Sequence, residues 1–99
     1  PTYTLVEPYE MLEPAVYHFD LYRLGEPEEL EMMGIRDYMD REALVIVEWP
    51  RRGEGLLPEP DCHIELEHAG EGRRARLTAW SVPGETLVAR AVNAFESRE

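Results

Sequence analysis

The sequence predicts an α/β fold: a mixed sheet with flanking helices. Three observations carry this. Two apolar runs of strand character each end in a carboxylate: Ala15-Val16-Tyr17-His18-Phe19-Asp20, and Leu44-Val45-Ile46-Val47-Glu48 followed at once by Trp49 and Pro50. Between them lies a segment with helix-start and helix-stop chemistry. Near the C-terminus, Leu87, Val88, Ala91, Val92 and Phe95 recur at helical spacing. Buried parallel strands read as nearly continuous apolar runs, and ligands of open α/β sheets collect at the carboxyl ends of the strands. Set side by side, the two runs put Asp20 and Glu48 on one rim.

Taken in order, Thr4-Leu5-Val6-Glu7-Pro8-Tyr9 is a short strand that Pro8 confines to an edge or a strand end. Ala15 to Tyr22 is the next strand. In Gly25-Glu26-Pro27-Glu28-Glu29, proline suits the first helical position and the acids suit the positive end of the helix dipole, so a helix starts here. Leu30 and Met33 give it an apolar side and Gly34 ends it. Ile35 to Met39 forms a second helical turn, with Asp40-Arg41-Glu42 solvated beyond it. The strand Leu44 to Trp49 follows. Its apolar run calls for neighbours on both sides, and the segment is expected to be one strand short.

Arg51 to Pro58 reads as a loop from its glycine and proline content. Next comes a hairpin. Cys62, Ile64 and Leu66 alternate with His63, Glu65 and Glu67, and Ala75, Leu77 and Ala79 alternate with Arg74, Arg76 and Thr78. Gly70-Glu71-Gly72 supplies the turn, and opposite charges on the outward face are placed to pair across the strands. The amphipathic helix closes the chain. The 99 residues are expected to form a single domain, 1–99, the C-terminal part of a larger one.

Composition limits the function classes. Acidic residues outnumber basic ones 21 to 10, for a net charge of -11, so a polyanion such as RNA is repelled and autonomous nucleic-acid binding is not expected. A protein partner is the better expectation. No stretch has the roughly 18 to 20 apolar residues that cross a bilayer. Cys62 is the only cysteine, so no disulfide forms within these residues, in keeping with a cytoplasmic setting. Hydrophobic content of 43% suffices for a core.

Among chemistry-bearing residues, Glu48 is the sharpest. Magnesium takes one or two carboxylates and completes its shell with waters and phosphate oxygens, so an acid at a strand tip is a ligand of the right kind. Many strands also end in a charged residue simply where they meet water. Trp49 tilts the balance, since a large amphipathic ring directly after the acid suits a ligand or partner surface. Asp20 can hold a magnesium-bound water, orient an attacking water or pair with Arg23. Its neighbour His18 reads as a satisfied structural histidine and stands outside the catalytic set. Thr2 and Thr4 carry hydroxyls in a stretch suited to sensing a γ-phosphate, although threonine is also a good strand former. Arg73, at the hairpin tip, is solvated or stacks on a base. No Gly-rich phosphate loop, Cys/His cluster or Ser/His/Asp order occurs.

Four ordered motifs resemble one family closely: Pro1-Thr2-Tyr3-Thr4-Leu5-Val6-Glu7; Tyr17-His18-Phe19-Asp20-Leu21-Tyr22-Arg23-Leu24 with Pro27-Glu28-Glu29-Leu30-Glu31; Gly34-Ile35-Arg36-Asp37-Tyr38; and Val47-Glu48-Trp49-Pro50. The family is TsaE (YjeE), the small bacterial ATPase of tRNA threonylcarbamoyladenosine biosynthesis. The resemblance runs from Pro1 through Pro58 and more loosely through the hairpin. It implies a P-loop NTPase-like fold, magnesium and ATP as ligands, and service to the TsaB and TsaD proteins. By the same resemblance Glu48 matches the magnesium ligand, Asp20 a Walker-B-like acid and Trp49 a required tryptophan. Thr2 and Thr4 match a switch-like segment, and Arg73 falls near the nucleotide base. The family's G-x-x-x-x-G-K-[ST] loop precedes that switch-like segment, in which this chain begins. The N-terminal strand and P-loop helix are therefore expected upstream in the natural protein, and these residues alone are expected to be inactive. The competing reading is a non-enzymatic acidic protein-interaction domain, which predicts no response to nucleotide.

Overall fold

The computed structural model describes residues 5–97, arranged as two compact units, Pro1–Pro58 and Glu59–Glu99. The first unit is built on a three-stranded mixed sheet. Its strands are β1 (Val6–Tyr9), β2 (Ala15–Asp20) and β3 (Ala43–Glu48), in the order β1-β2-β3. β1 runs antiparallel to β2, pairing Val6 with Phe19 and Tyr9 with Val16, and Pro8 does sit in an edge strand. β2 and β3 are parallel, pairing Ala15 with Ala43 through to Asp20 with Glu48. Parallel neighbours need a crossover. Here the chain between them forms α1 (Glu28–Met32) and α2 (Ile35–Met39). The mixed α/β architecture is the one the sequence predicts.

Side chains of a strand alternate between faces. Tyr17 and Phe19 of β2 therefore share one face, and they form the core with Leu21, Leu24, Leu30 and Ile35. Phe19, Leu21 and Leu30 are fully excluded from solvent. Tyr38 of α2 presents its ring to the edges of Tyr17 and Phe19, with centroids 5.1 and 5.2 Å apart and planes at 72° and 88°. Such edge-to-face pairs add about 0.5–1.5 kcal/mol beyond the area they bury. Ala43, Val45 and Val47 of β3 pack against the same core.

The other face of β3 departs from the sequence reading. Leu44 and Ile46 are 39% and 44% exposed, so the strand alternates in burial instead of being enclosed. Both helices cover one face of the sheet, and among the described residues β3 pairs with β2 alone. The uniform apolar run records what the strand can bury, not what covers it within these residues.

The connections are held by local chemistry. Glu29 Oε1 accepts hydrogen bonds from the amides of Gly25 (2.9 Å) and Glu26 (3.0 Å), tying the loop to the start of α1, where Pro27 has no side chain able to cap. Gly34 separates the helices at φ 79°, a left-handed value that a Cβ disfavours. The stretch read as a loop after β3 begins with a 3-10 turn at Pro50–Gly53, its first position taken by proline, whose missing N–H is no loss there.

The second unit pairs β4 (Cys62–Ala69) with β5 (Gly72–Ala79) in an antiparallel hairpin, followed by α3 (Val82–Glu96). The turn falls at Gly70 and Glu71, with Gly70 at φ 62°. Glu67 and Arg74 face each other in register and their side chains meet at 3.2 Å, one of the outward charge pairs the alternation predicts. Ser81 caps α3: its hydroxyl accepts from the Gly84 amide at 3.0 Å and donates to Asp61 Oδ1 at 2.6 Å. A Cβ on Gly84 would overlap the Asp61 carbonyl oxygen, so only glycine lets the helix start this close to the head of β4. Ser81→Ala loses both hydroxyl bonds and is expected to destabilise the complete protein by about 1 kcal/mol. Thermal unfolding checks this, and Ser81→Thr, whose hydroxyl can still accept at the cap and donate to Asp61, should recover much of the loss.

Candidate active site at the carboxyl ends of β2 and β3

The parallel register sets Asp20 directly beside Glu48 at the carboxyl ends of two neighbouring strands. The backbone fixes this rim from both sides. The Asp20 amide donates to the Leu5 carbonyl at 3.0 Å, and the Leu21 amide donates to the Glu48 carbonyl at 3.1 Å. Asp20 Oδ1 accepts from the Tyr22 amide two residues on, at 3.1 Å, which turns the chain away from the strand and holds the carboxylate. Like charges side by side on a sheet are mutually unfavourable, so a pair of adjacent acids favours a cation between or above them.

His18 belongs to this site, contrary to the sequence reading that set it apart. Its Nε2 lies 2.6 Å from Glu48 Oε1. The signal was period two: His18 and Asp20 share a face of β2, Ile46 and Glu48 share the matching face of β3, and the register makes His18 and Glu48 diagonal neighbours.

Trp49 follows Glu48 in the left-handed region, at φ 58° and ψ 51°. That conformation costs a bulky residue roughly 1–2 kcal/mol, and strain of this kind concentrates at functional sites. The kink leaves the ring 54% exposed and brings it against Tyr22, with centroids 5.0 Å apart. On the Tyr22 ring also rests the Arg52 guanidinium, 5.8 Å from its centroid. The rim thus combines two acids, a histidine, two half-exposed aromatic rings and an arginine.

Of the residues singled out in the sequence, Asp20, Glu48 and Trp49 are brought together here. Arg73 belongs to the second unit, at the hairpin tip, where its Nη1 donates to the Gly72 carbonyl at 3.2 Å. Thr2 and Thr4 lie outside the described residues.

The family model for the threonylcarbamoyl adenosine biosynthesis protein TsaE matches residues 1–76. The chain belongs to the TsaE family. Similar relatives carry the name tRNA threonylcarbamoyladenosine biosynthesis protein TsaE. The one from Haemophilus influenzae is 44% identical over 88 residues, covering 89% of this chain and 56% of the relative. Those from Borreliella burgdorferi and Bacillus subtilis are 35% and 31% identical, covering 78% and 75% of this chain and 58% and 46% of themselves. The chain thus spans about half the length of the relatives it matches. No helix among the described residues is long and apolar enough to cross a membrane.

The donor set at the rim is compatible with magnesium without being sufficient for it. Carboxylate oxygens are the hard donors magnesium prefers, and one or two suffice when phosphate oxygens and water complete the shell. Glu48 Oε1 is engaged by His18 and Asp20 Oδ1 by Tyr22. No group of three or more ligating side chains occurs among those residues, so a metal held here alone would lack protein donors.

Proposed function

We propose that the complete protein to which this chain belongs is a magnesium-dependent ATPase of P-loop NTPase-like fold, cytoplasmic, that serves the TsaB and TsaD proteins in threonylcarbamoyladenosine modification of tRNA. The observation that carries the reading is the register pairing of Asp20 with Glu48 at the carboxyl ends of parallel strands. In open α/β sheets that edge is where ligands bind. Family membership supports the same reading.

In this proposal Glu48 holds the metal and Asp20 orients the attacking water or a water on the metal. Magnesium, when bound with ATP, neutralises charge on the phosphoryl oxygens. The protein's own part is positioning and preorganised charge, because phosphoryl transfer asks for little covalent chemistry. The backbone bonds at Leu5 and Leu21 fix where the two carboxylates stand. The Tyr22–Trp49 ring contact fixes where the Trp49 ring stands, directly after Glu48 in the chain. Thr2 and Thr4, which lie outside the described residues, are assigned to γ-phosphate sensing by the family resemblance alone. The lysine and backbone amides of a phosphate loop are not among these 99 residues, so the proposal concerns the complete protein. These 99 residues carry a net charge of -11, which supports action on protein partners over a direct grip on tRNA.

The test is ATP hydrolysis by the complete protein across a magnesium titration, with and without TsaB and TsaD. Release of phosphate that requires magnesium and rises with the partners is expected. Magnesium and ATP should also change the tryptophan emission, and that change should be kept in a Trp80→Phe variant and lost in Trp49→Phe. A protein that neither binds nor hydrolyses ATP would overturn the proposal and favour an acidic protein-interaction domain.

A further inference from the structure

We infer that His18 is a positioning residue that aims the Glu48 carboxylate at the metal. The inference deepens the reading of Glu48 as a magnesium ligand and rests on it. An ionised carboxylate only accepts hydrogen bonds, so across the 2.6 Å contact His18 Nε2 carries the proton and Glu48 Oε1 receives it. One of the two Glu48 oxygens is thereby committed and the other is left to a cation. Ligating carboxylates are commonly fixed in this way by an outer partner, whose loss costs about 10- to 100-fold in metal affinity or activity.

The placement of His18 supports a role beyond filling space. It sits on the face of β2 opposite the core residues Tyr17 and Phe19, so the hydrophobic cluster does not need it. The two side chains are 32% and 55% exposed. At that exposure a hydrogen bond adds little to stability, and its effect is mainly on orientation. Glu48 is the last residue of β3 and its side chain could point into solvent beyond the strand. Instead it turns back along the sheet to His18, two register positions inward, which holds it over the same face as Asp20. The donor is a rigid ring on a paired strand, so Glu48 is aimed before any ligand arrives.

The experiment measures binding of a fluorescent ATP analogue to the complete protein, with magnesium and with EDTA, and takes the ratio of the two Kd values as the magnesium-linked gain. His18→Ala is expected to cut that gain by about 10-fold or more while leaving the EDTA affinity within about 2-fold. His18→Gln, which keeps an N–H donor at similar reach, should restore most of it. A merely structural role for His18 would lower both affinities together, and that result would overturn the inference. So would an unchanged gain in His18→Ala, or a His18→Gln variant as weak as His18→Ala. The parent reading fails separately: a protein that binds the nucleotide with no magnesium-linked gain, or one in which Glu48→Gln keeps the gain, has no metal at Glu48.

Discussion

Glu48→Gln in the complete protein is expected to lower the magnesium-dependent rate of ATP hydrolysis by on the order of 100-fold, the scale on which losing one preorganised charge costs a reaction. The substitution is nearly isosteric. Its amide oxygen can still accept from His18 Nε2, so the aim of the side chain survives while the negative charge does not. The fold should not suffer. Replacing one of two adjacent acids at the strand ends removes a like-charge contact, and the melting temperature should stay level or rise slightly. Activity and stability are therefore expected to part company. Phosphate release measured across a magnesium titration, beside thermal unfolding of the same sample, checks both halves. Unchanged hydrolysis by the glutamine variant would sink the metal role of Glu48, and a lost rate accompanied by a lower melting temperature would point to misfolding instead.

The frame of the first unit was legible because the strands state their own limits. Asp20 and Glu48 end apolar runs, Gly34 breaks the helical segment where the backbone turns left-handed, and Pro8 marks the edge strand. The enclosure of β3 was not legible. An apolar run reports the capacity of a strand to be buried on two faces, whereas Leu44 and Ile46 meet no covering layer among the described residues. Capping was missed where it comes from side chains out of the usual order: Glu29 reaches back to the amides of Gly25 and Glu26, which no cap pattern at Pro27 announces. The 3-10 turn at Pro50–Gly53 did leave a signal, the proline at its first position, which the surrounding glycines masked.

At the candidate site, residue identity was easier to read than geometry. The pairing of Asp20 with Glu48 follows from two strands of similar length set parallel, and the register places them side by side. His18 required one further step. Period two assigns it to the Asp20 face, but only the register, which is a tertiary fact, brings it within 2.6 Å of Glu48. The left-handed backbone of Trp49 is illegible in principle, since tryptophan is a residue that propensity would exclude from that region. There the local preference is overridden by the connection from β3 into the following turn, and the strain marks the position as one held by its surroundings.

Phe19→Ala should have the largest effect on stability. Phe19 is fully buried, packs edge-on against Tyr38 at 5.2 Å and lies in β2 between His18 and Asp20. Truncating a buried phenylalanine typically costs about 3–5 kcal/mol, because the lost transfer energy is joined by a cavity that rigid neighbours fill only in part. Those neighbours here are β2 itself and two short helices, with Leu21 and Leu30 already fully buried, so collapse onto the gap requires the helices to move. Against a total of about 5–15 kcal/mol for a typical protein, a loss of that size lowers the melting temperature by roughly 10 °C. Phe19→Leu, which fills much of the same volume, should cost a fraction as much. Since alternate residues of the strand face the site, the slack introduced behind the sheet is expected to loosen the Asp20–Glu48 register in front of it. A shift of the melting temperature under about 3 °C for Phe19→Ala would mean that the core closes over the cavity, and then the rim should keep its geometry.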